Sequence, residues 1–200
     1  MKNLQLFLIA ADFLVMLGGA DKLSADLNAK VNNGSVTVDP STHFVRKDIS
    51  GASSIYDFID EQTDKIDGIS SIKSTSLPKN QAFIFHGVAV GYAEGTTASG
   101  PAGQTYGTDL PAAVRNANIL IRQNGREVLN EPIANFAKGE ATTRPSDYYF
   151  ELPSLRYLKD DEAIEIKIVF PKGVALPDPG VDSSNYMEVR LLGQKTVAKI

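Results

Sequence analysis

Residues 118–130 read NILIRQNGREVLN, and this stretch constrains the fold more than any other. Asn124-Gly125 is the preferred two-residue connection of a β-hairpin, because both positions tolerate the positive φ of a type I′ turn. A turn there pairs Gln123 with Arg126, Arg122 with Glu127, Ile121 with Val128 and Leu120 with Leu129. Cation then faces anion and apolar side chain faces apolar side chain, the pairs that stabilise a sheet. A chain carrying such a hairpin is expected to be antiparallel β.

The same period of two recurs along the chain. In residues 163–170, Ile164, Ile166, Ile168 and Phe170 alternate with Glu165 and Lys167. In residues 186–192, Met187, Val189 and Leu191 fall on one face, Glu188 and Arg190 on the other. Residues 82–92 place Phe83 and Phe85 on one face and Ile84, Val88 and Val90 on the other. With both faces apolar, this strand is expected to be central and covered on both sides. Gly87 and Gly91 inside it predict a bulge or a close approach by another backbone. Shorter strands are expected at Val36–Val38, ending at Asp39-Pro40, and at 148–152, ending at Pro153; residues 196–200 would add a last edge strand. Short strands joined by Gly- and Pro-bearing turns predict an antiparallel β-sandwich, with a single jelly roll as the preferred topology.

Helical spacing is confined to the N-terminal third, where one or two short helices are expected. Leu23, Leu27 and Val31 recur at helical intervals before Asn32-Asn33-Gly34 stops them. Residues 54–66 predict a second helix, with Ser54 and Asp57 as a capping box and Ile55, Phe58, Ile59 and Ile66 on one face. Residues 110–114 make at most one turn. The resulting division is an apolar, helical N-terminal arm, 1–34, and a sandwich domain, 35–200.

The first segment is apolar from 4 to 17 except for Gln5 and Asp12. Lys2 ahead of it and Gly18-Gly19-Ala20 behind it have the outline of a secretion signal, but Asp12 breaks the apolar run. The run is also shorter than the roughly 20 residues a spanning helix needs. The expectation is an element packed on its own domain or docked on a neighbouring subunit.

Composition narrows function mostly by exclusion. The net charge is −4, which supplies no electrostatic reason to bind nucleic acid. There is no Cys, so disulfides and thiolate metal sites do not arise. His86, inside the central strand, is expected to be a buried and hydrogen-bonded structural histidine; His43 is expected at the surface. Asp160, Asp161 and Glu162, and separately Asp178, Asp182 and Asn185, are where calcium would be sought, since it takes several hard oxygens. Neither set matches a calcium loop, and consecutive acids in a turn are expected to be solvated. Tyr148, Tyr149 and Tyr157 could form a sugar platform, but alternation along a strand sends neighbouring tyrosines to opposite faces. Residues 94–109, rich in Gly, Thr, Ser and Ala, form a loop long enough to be functional or mobile. No catalytic, cofactor-binding or metal-ligating residue is assigned, no cofactor is expected, and the chain is read as non-enzymatic.

In organisation, residues 82–192 resemble the jelly-roll coat proteins of tailless icosahedral bacteriophages. The residues that carry the likeness are the strand FIFHGVAVGY, the small-residue loop after it, the hairpin NILIRQNGREVL, EPIANF, and the strand IEIKIVF. The resemblance implies a capsid subunit, assembled in the host cytoplasm into a virion through edge strands, loops and a terminal arm. Its partners would be further copies of itself and other virion proteins. The apolar N-terminus, unlike a basic arm, would suit a neighbouring subunit or a lipid layer rather than the genome. A carbohydrate- or ligand-binding sandwich module is the alternative.

Overall fold

The computed structural model describes residues 2–52, 54–59, 63–72, 76–136 and 149–199. Among the described residues, eight strands form two four-stranded sheets. In chain order they are β1 (Val36–Asp48), β2 (Ile55–Asp57), β3 (Phe83–Thr96), β4 (Asn118–Gln123), β5 (Arg126–Pro132), β6 (Phe150–Leu158), β7 (Ile164–Val169) and β8 (Ser183–Ala198). One sheet has the order β1-β8-β3-β6 and the other β2-β7-β4-β5. Every pairing between these strands is antiparallel, and the first strand pairs with the eighth, the second with the seventh, the third with the sixth, the fourth with the fifth. This is the strand order of a jelly roll, so the expected fold class is the observed one.

Alternating apolar residues produce the layer between the sheets. Ile164, Ile166 and Ile168 of β7 and Ile119 and Ile121 of β4 meet Met187, Val189 and Leu191 of β8 in one continuous core. β8 is longer than its sequence pattern suggested. The expected edge strand at 196–200 is instead the end of β8, and it lies between β1 and β3 with Thr196 opposite Val38.

β3 departs from simple alternation. Phe85 faces Gly193 of β8, but Gly87 faces Leu192, so His86 is an extra residue. The bulge reverses the phase of everything after it. Val88 and Val90 therefore join Phe83 and Phe85 in the core, while Ile84 faces outward, correcting the expected division of faces. Gly193 makes the bulge possible, because a Cβ there would sit 2.0 Å from the Ile84 carbonyl oxygen.

The prolines misled in a consistent way. β1 runs through Pro40 for 13 residues, and β6 runs through Pro153, where strand ends were expected. Both are edge strands, where a missing N–H leaves no ladder bond broken. In β6 the partner of Phe85 is Arg156 and that of Gly87 is Glu151, so residues 152–155 leave the ladder around Pro153.

The hairpin turns at Asn124 and Gly125, both with positive φ. The two pairs nearest the turn are as expected, but Ile121 faces Leu129 and Leu120 faces Asn130. Val128 is a bulge residue. Without it, alternation would expose either Val128 or Leu129, and both are buried.

The expected helix at 54–66 does not form. Residues 55–57 are β2, paired with β7, and the Phe58 N–H donates to the Ile166 carbonyl at 2.7 Å. Capping β7's open edge and burying Phe58 and Ile59 outweighs a weak helical pattern. Asp57, expected to cap, pairs with Lys167 at 3.5 Å; residues 60–62 lie outside the described residues.

The helices lie outside the sandwich. α1 (Lys2–Gly19) and α2 (Ala25–Asn32) cover the outer face of the β1-β8-β3-β6 sheet. Ala10, Leu14 and Leu17 of α1 and Leu27 and Val31 of α2 close over Val38, Ala82 and Ile84. α1 thus packs on its own domain, and Asp12 is harmless because it lies on the outward arc. No helix among the described residues is long and apolar enough to cross a membrane. A single turn, α3 (Ala112–Arg115), precedes β4.

Candidate functional site

Three surface features stand out once the fold is assembled. The first is the outward face of α1. Leu14 is 4% exposed, yet Leu8 is 51%, Val15 61% and Met16 68% exposed, with Leu4 and Ile9 beside them. At 3.6 residues per turn Leu4, Leu8 and Val15 form one stripe and Ile9 and Met16 a second, with Gln5 and the exposed Asp12 between them. An ordinary surface helix carries polar residues there.

The second is a cleft of about 540 Å³ at the open side of the sandwich, lined among the described residues by β1, residues 65–72 and 76–81, and β8. β1 supplies His43, in phase with the core residue Val45, so its ring enters the mouth of the interior and packs edge-on against Phe83 at 4.4 Å. Nδ1 lies 3.2 Å from Ser71 Oγ, which accepts the Phe44 N–H at 2.8 Å. Nε2 is sealed from solvent and has no hydrogen-bond partner among the described residues. Burial, then Lys195 and Lys65, push the imidazole down to about 4, so it is neutral at pH 7. The expectation of a surface histidine is corrected. Reading β1 through Pro40 would have put His43 in phase with Val45; the contribution of Lys65 and Lys195 had no local signal.

The third is a charged cluster on the outer face of the same sheet. Glu188 is buried and pairs with Arg46 at 3.4 Å and with Arg190. The Arg46 guanidinium also donates to the Gly68 carbonyl at 2.7 Å and lies over the rings of Phe44 and Tyr106, 5.2 Å from each. Tyr106 seats on β3 because Gly91 has no Cβ; one would lie 2.9 Å from Tyr106 Cβ, the close approach the sequence suggested. Burial pushes the Tyr106 phenol well up, and its hydroxyl donates to the Pro101 carbonyl at 2.7 Å. The cluster fastens residues 97–107, expected as a long loop, which form two short 3₁₀ turns and a bridge from Gly107 to Tyr92.

The remaining sequence candidates are dispersed. His86 sits on the β3 bulge, half-buried, and its Nδ1 has no partner among the described residues, so it is not the fully buried, hydrogen-bonded residue expected. Burial lowers its imidazole against the opposing pull of Glu151. Asp160 is buried rather than solvated: it accepts from the Ser24 hydroxyl at 2.9 Å and the Asn80 N–H at 2.5 Å, tying α2 to the sandwich. Asp161 pairs with Lys79 at 3.8 Å and Glu162 with Lys159 at 2.8 Å, so the three acids share no partner. Asp178 accepts from the Gly180 N–H, whereas Asn185 is buried between the Pro177 carbonyl and the Tyr92 hydroxyl. Among the described residues, no three His, Asp or Glu side chains gather as a metal site would require. Tyr157 packs against Phe13 of α1 and under Arg126, while Tyr149 lies beside Gly87; Tyr148 is outside the described residues.

No family model matches the chain, and neither a curated protein nor a solved structure is significantly similar to it.

Proposed function

We propose that the chain is a structural subunit of a closed protein shell, of the virion type, and that copies associate through the outward face of α1. The observation that carries this reading is the apolar stripe of α1 on a jelly roll whose own core is already complete. Burying five half-exposed aliphatic side chains at roughly 1 kcal/mol each gives about 5 kcal/mol, near the low end of the 4–15 kcal/mol that association costs. One such contact makes a weak pair. A closed array, in which each subunit makes several contacts, is stable and still reversible during growth.

The edge strands are poorer candidates for contact. The backbone of β1 at Phe44 and Arg46 is bonded to residues 69–71, and β6 is interrupted around Pro153. A lipid layer is also disfavoured, because interfacial helices carry many Lys and Arg, and α1 has Lys2 alone and an exposed Asp12. With a net charge of −4, direct contact with the genome is not part of the proposal.

The test is size-exclusion chromatography with light scattering, followed by negative-stain microscopy of the same fractions. Regular particles or rings are expected for the natural chain. A Leu8→Glu, Val15→Glu double variant is expected to elute as a 21.6 kDa monomer with an unchanged unfolding midpoint. A natural chain that stays monomeric at high concentration across salt and pH would overturn the reading.

A further inference from the structure

We propose that two copies of the chain join by crossing their α1 helices about a twofold axis at Asp12, and that a proton shared between the two Asp12 carboxyls controls the contact. The inference rests on the reading of α1 as an interface and adds its geometry and its pH dependence. Its first support is the position of Asp12. The acid is exposed, and its helical neighbours three and four residues away on either side are Leu8, Ile9, Val15 and Met16. Each of those four is more than half exposed. Asp12 thus stands at the centre of the apolar face, and a contact made through that face takes it out of water.

The second support is that the face complements itself. In an antiparallel crossing about residue 12, the positions three and four before it meet those three and four after it. Leu8 then lies against Val15 of the second copy and Ile9 against its Met16, so each stripe meets its own equivalent. Aliphatic faces aliphatic at both ends, as an isologous contact requires. One turn further out Gln5 meets Gly19, where even a Cβ would find nothing within 4 Å, so the amide has room.

The third support is charge. After Lys2, α1 contains no Lys, Arg or His, so in this crossing Asp12 meets Asp12 and not a cation. Two carboxylates held together in a desolvated contact cannot both stay ionised; one takes up a proton and donates it to the other. The charged groups flanking the residues that pack on α1 are Lys22, Asp26 and Lys30 at α2, Asp39 on β1, Arg126 on β5 and Arg156 on β6. These elements meet α1 through Ala10, Leu14, Leu17 and Phe13, a quarter turn or more around the helix from Asp12. Arg126 and Arg156 already donate to the Tyr157 carbonyl and the Ser154 hydroxyl. Association therefore binds a proton: it strengthens as pH falls toward the ordinary carboxylate range near about 4 and weakens as pH rises.

The experiment measures the concentration at which half of the chain is associated, by light scattering at constant ionic strength between about pH 5 and 7, for the natural chain and an Asp12→Asn variant. For the natural chain that concentration is expected to rise about three- to tenfold per pH unit, the values for one shared proton per pair in a closed shell and in an isolated pair. Asp12→Asn, neutral at every pH and able to hydrogen-bond its own copy, is expected to lose most of this slope and to associate at pH 7 at least about tenfold more readily. Equal slopes in the two proteins would overturn the inference and leave the α1 interface standing. So would weaker association of the variant at pH 7, which would reveal a cation paired with the carboxylate. Monomers of both proteins at every pH would overturn that interface and the inference with it. The chain has no cysteine, so disulfide trapping reads the geometry. A mixture of Leu8→Cys and Val15→Cys chains is expected to cross-link, and neither variant alone. Cross-linking of either variant with itself, or none in the mixture, would overturn the twofold crossing.

Discussion

At the scale of single residues, His43 links the mouth of the sandwich to pH. Its folded pKa of about 4 lies below the ordinary 6.5, so the unfolded chain binds more protons between those values. The stabilisation from keeping the ring neutral is complete above pH 6.5 and is lost as pH falls toward 4. A shift of this size corresponds to about 3 kcal/mol. Denaturant unfolding of the natural chain and a His43→Gln variant is expected to show the stability difference changing by about that amount across the window. His86, lowered in the same direction, is present in both proteins and cancels. A constant difference would mean that the ring is not held neutral. Gly193 shows a different kind of residue-scale constraint: it is demanded by the backbone of the next strand and not by any turn.

At the scale of elements, α1 has two apolar faces with opposite duties. The inward face, through Ala10, Leu14 and Leu17, completes a cluster with α2 and the outer residues of β1 and β3. Leu14→Ala is expected to cost about 2–5 kcal/mol by leaving a cavity there. Leu8→Ala, on the open face, is expected to change stability by less than about 0.5 kcal/mol. Chemical denaturation of the two variants separates the faces, and equal losses would contradict the docking of the helix. β3 has a similar double role, and its bulge at His86 lets Ile84 serve the helices while Val88 and Val90 serve the core.

At the scale of the molecule, two hydrophobic clusters lie on either side of one sheet: the interior shared by both sheets, and the smaller helix-covered one. Removing residues 1–20 uncovers only the smaller. The truncated chain is expected to keep one cooperative unfolding transition at a lower midpoint and to lose assembly. Calorimetry with light scattering checks both, and loss of the transition would place α1 in the folding core. The sequence by itself determined the β class, the hairpin turn, β7 and the inner face of β8, because strict alternation and an Asn-Gly turn are local consequences of backbone sterics. It also determined α2, through Leu23, Leu27 and Val31. Only the tertiary structure decided the rest. The bulges at His86 and Val128 exist because both must fit the face they meet; β2 forms because β7 needs an edge partner. The cleft gathers His43, Lys65 and Lys195 from remote parts of the chain, and winding the jelly roll is what brings them together.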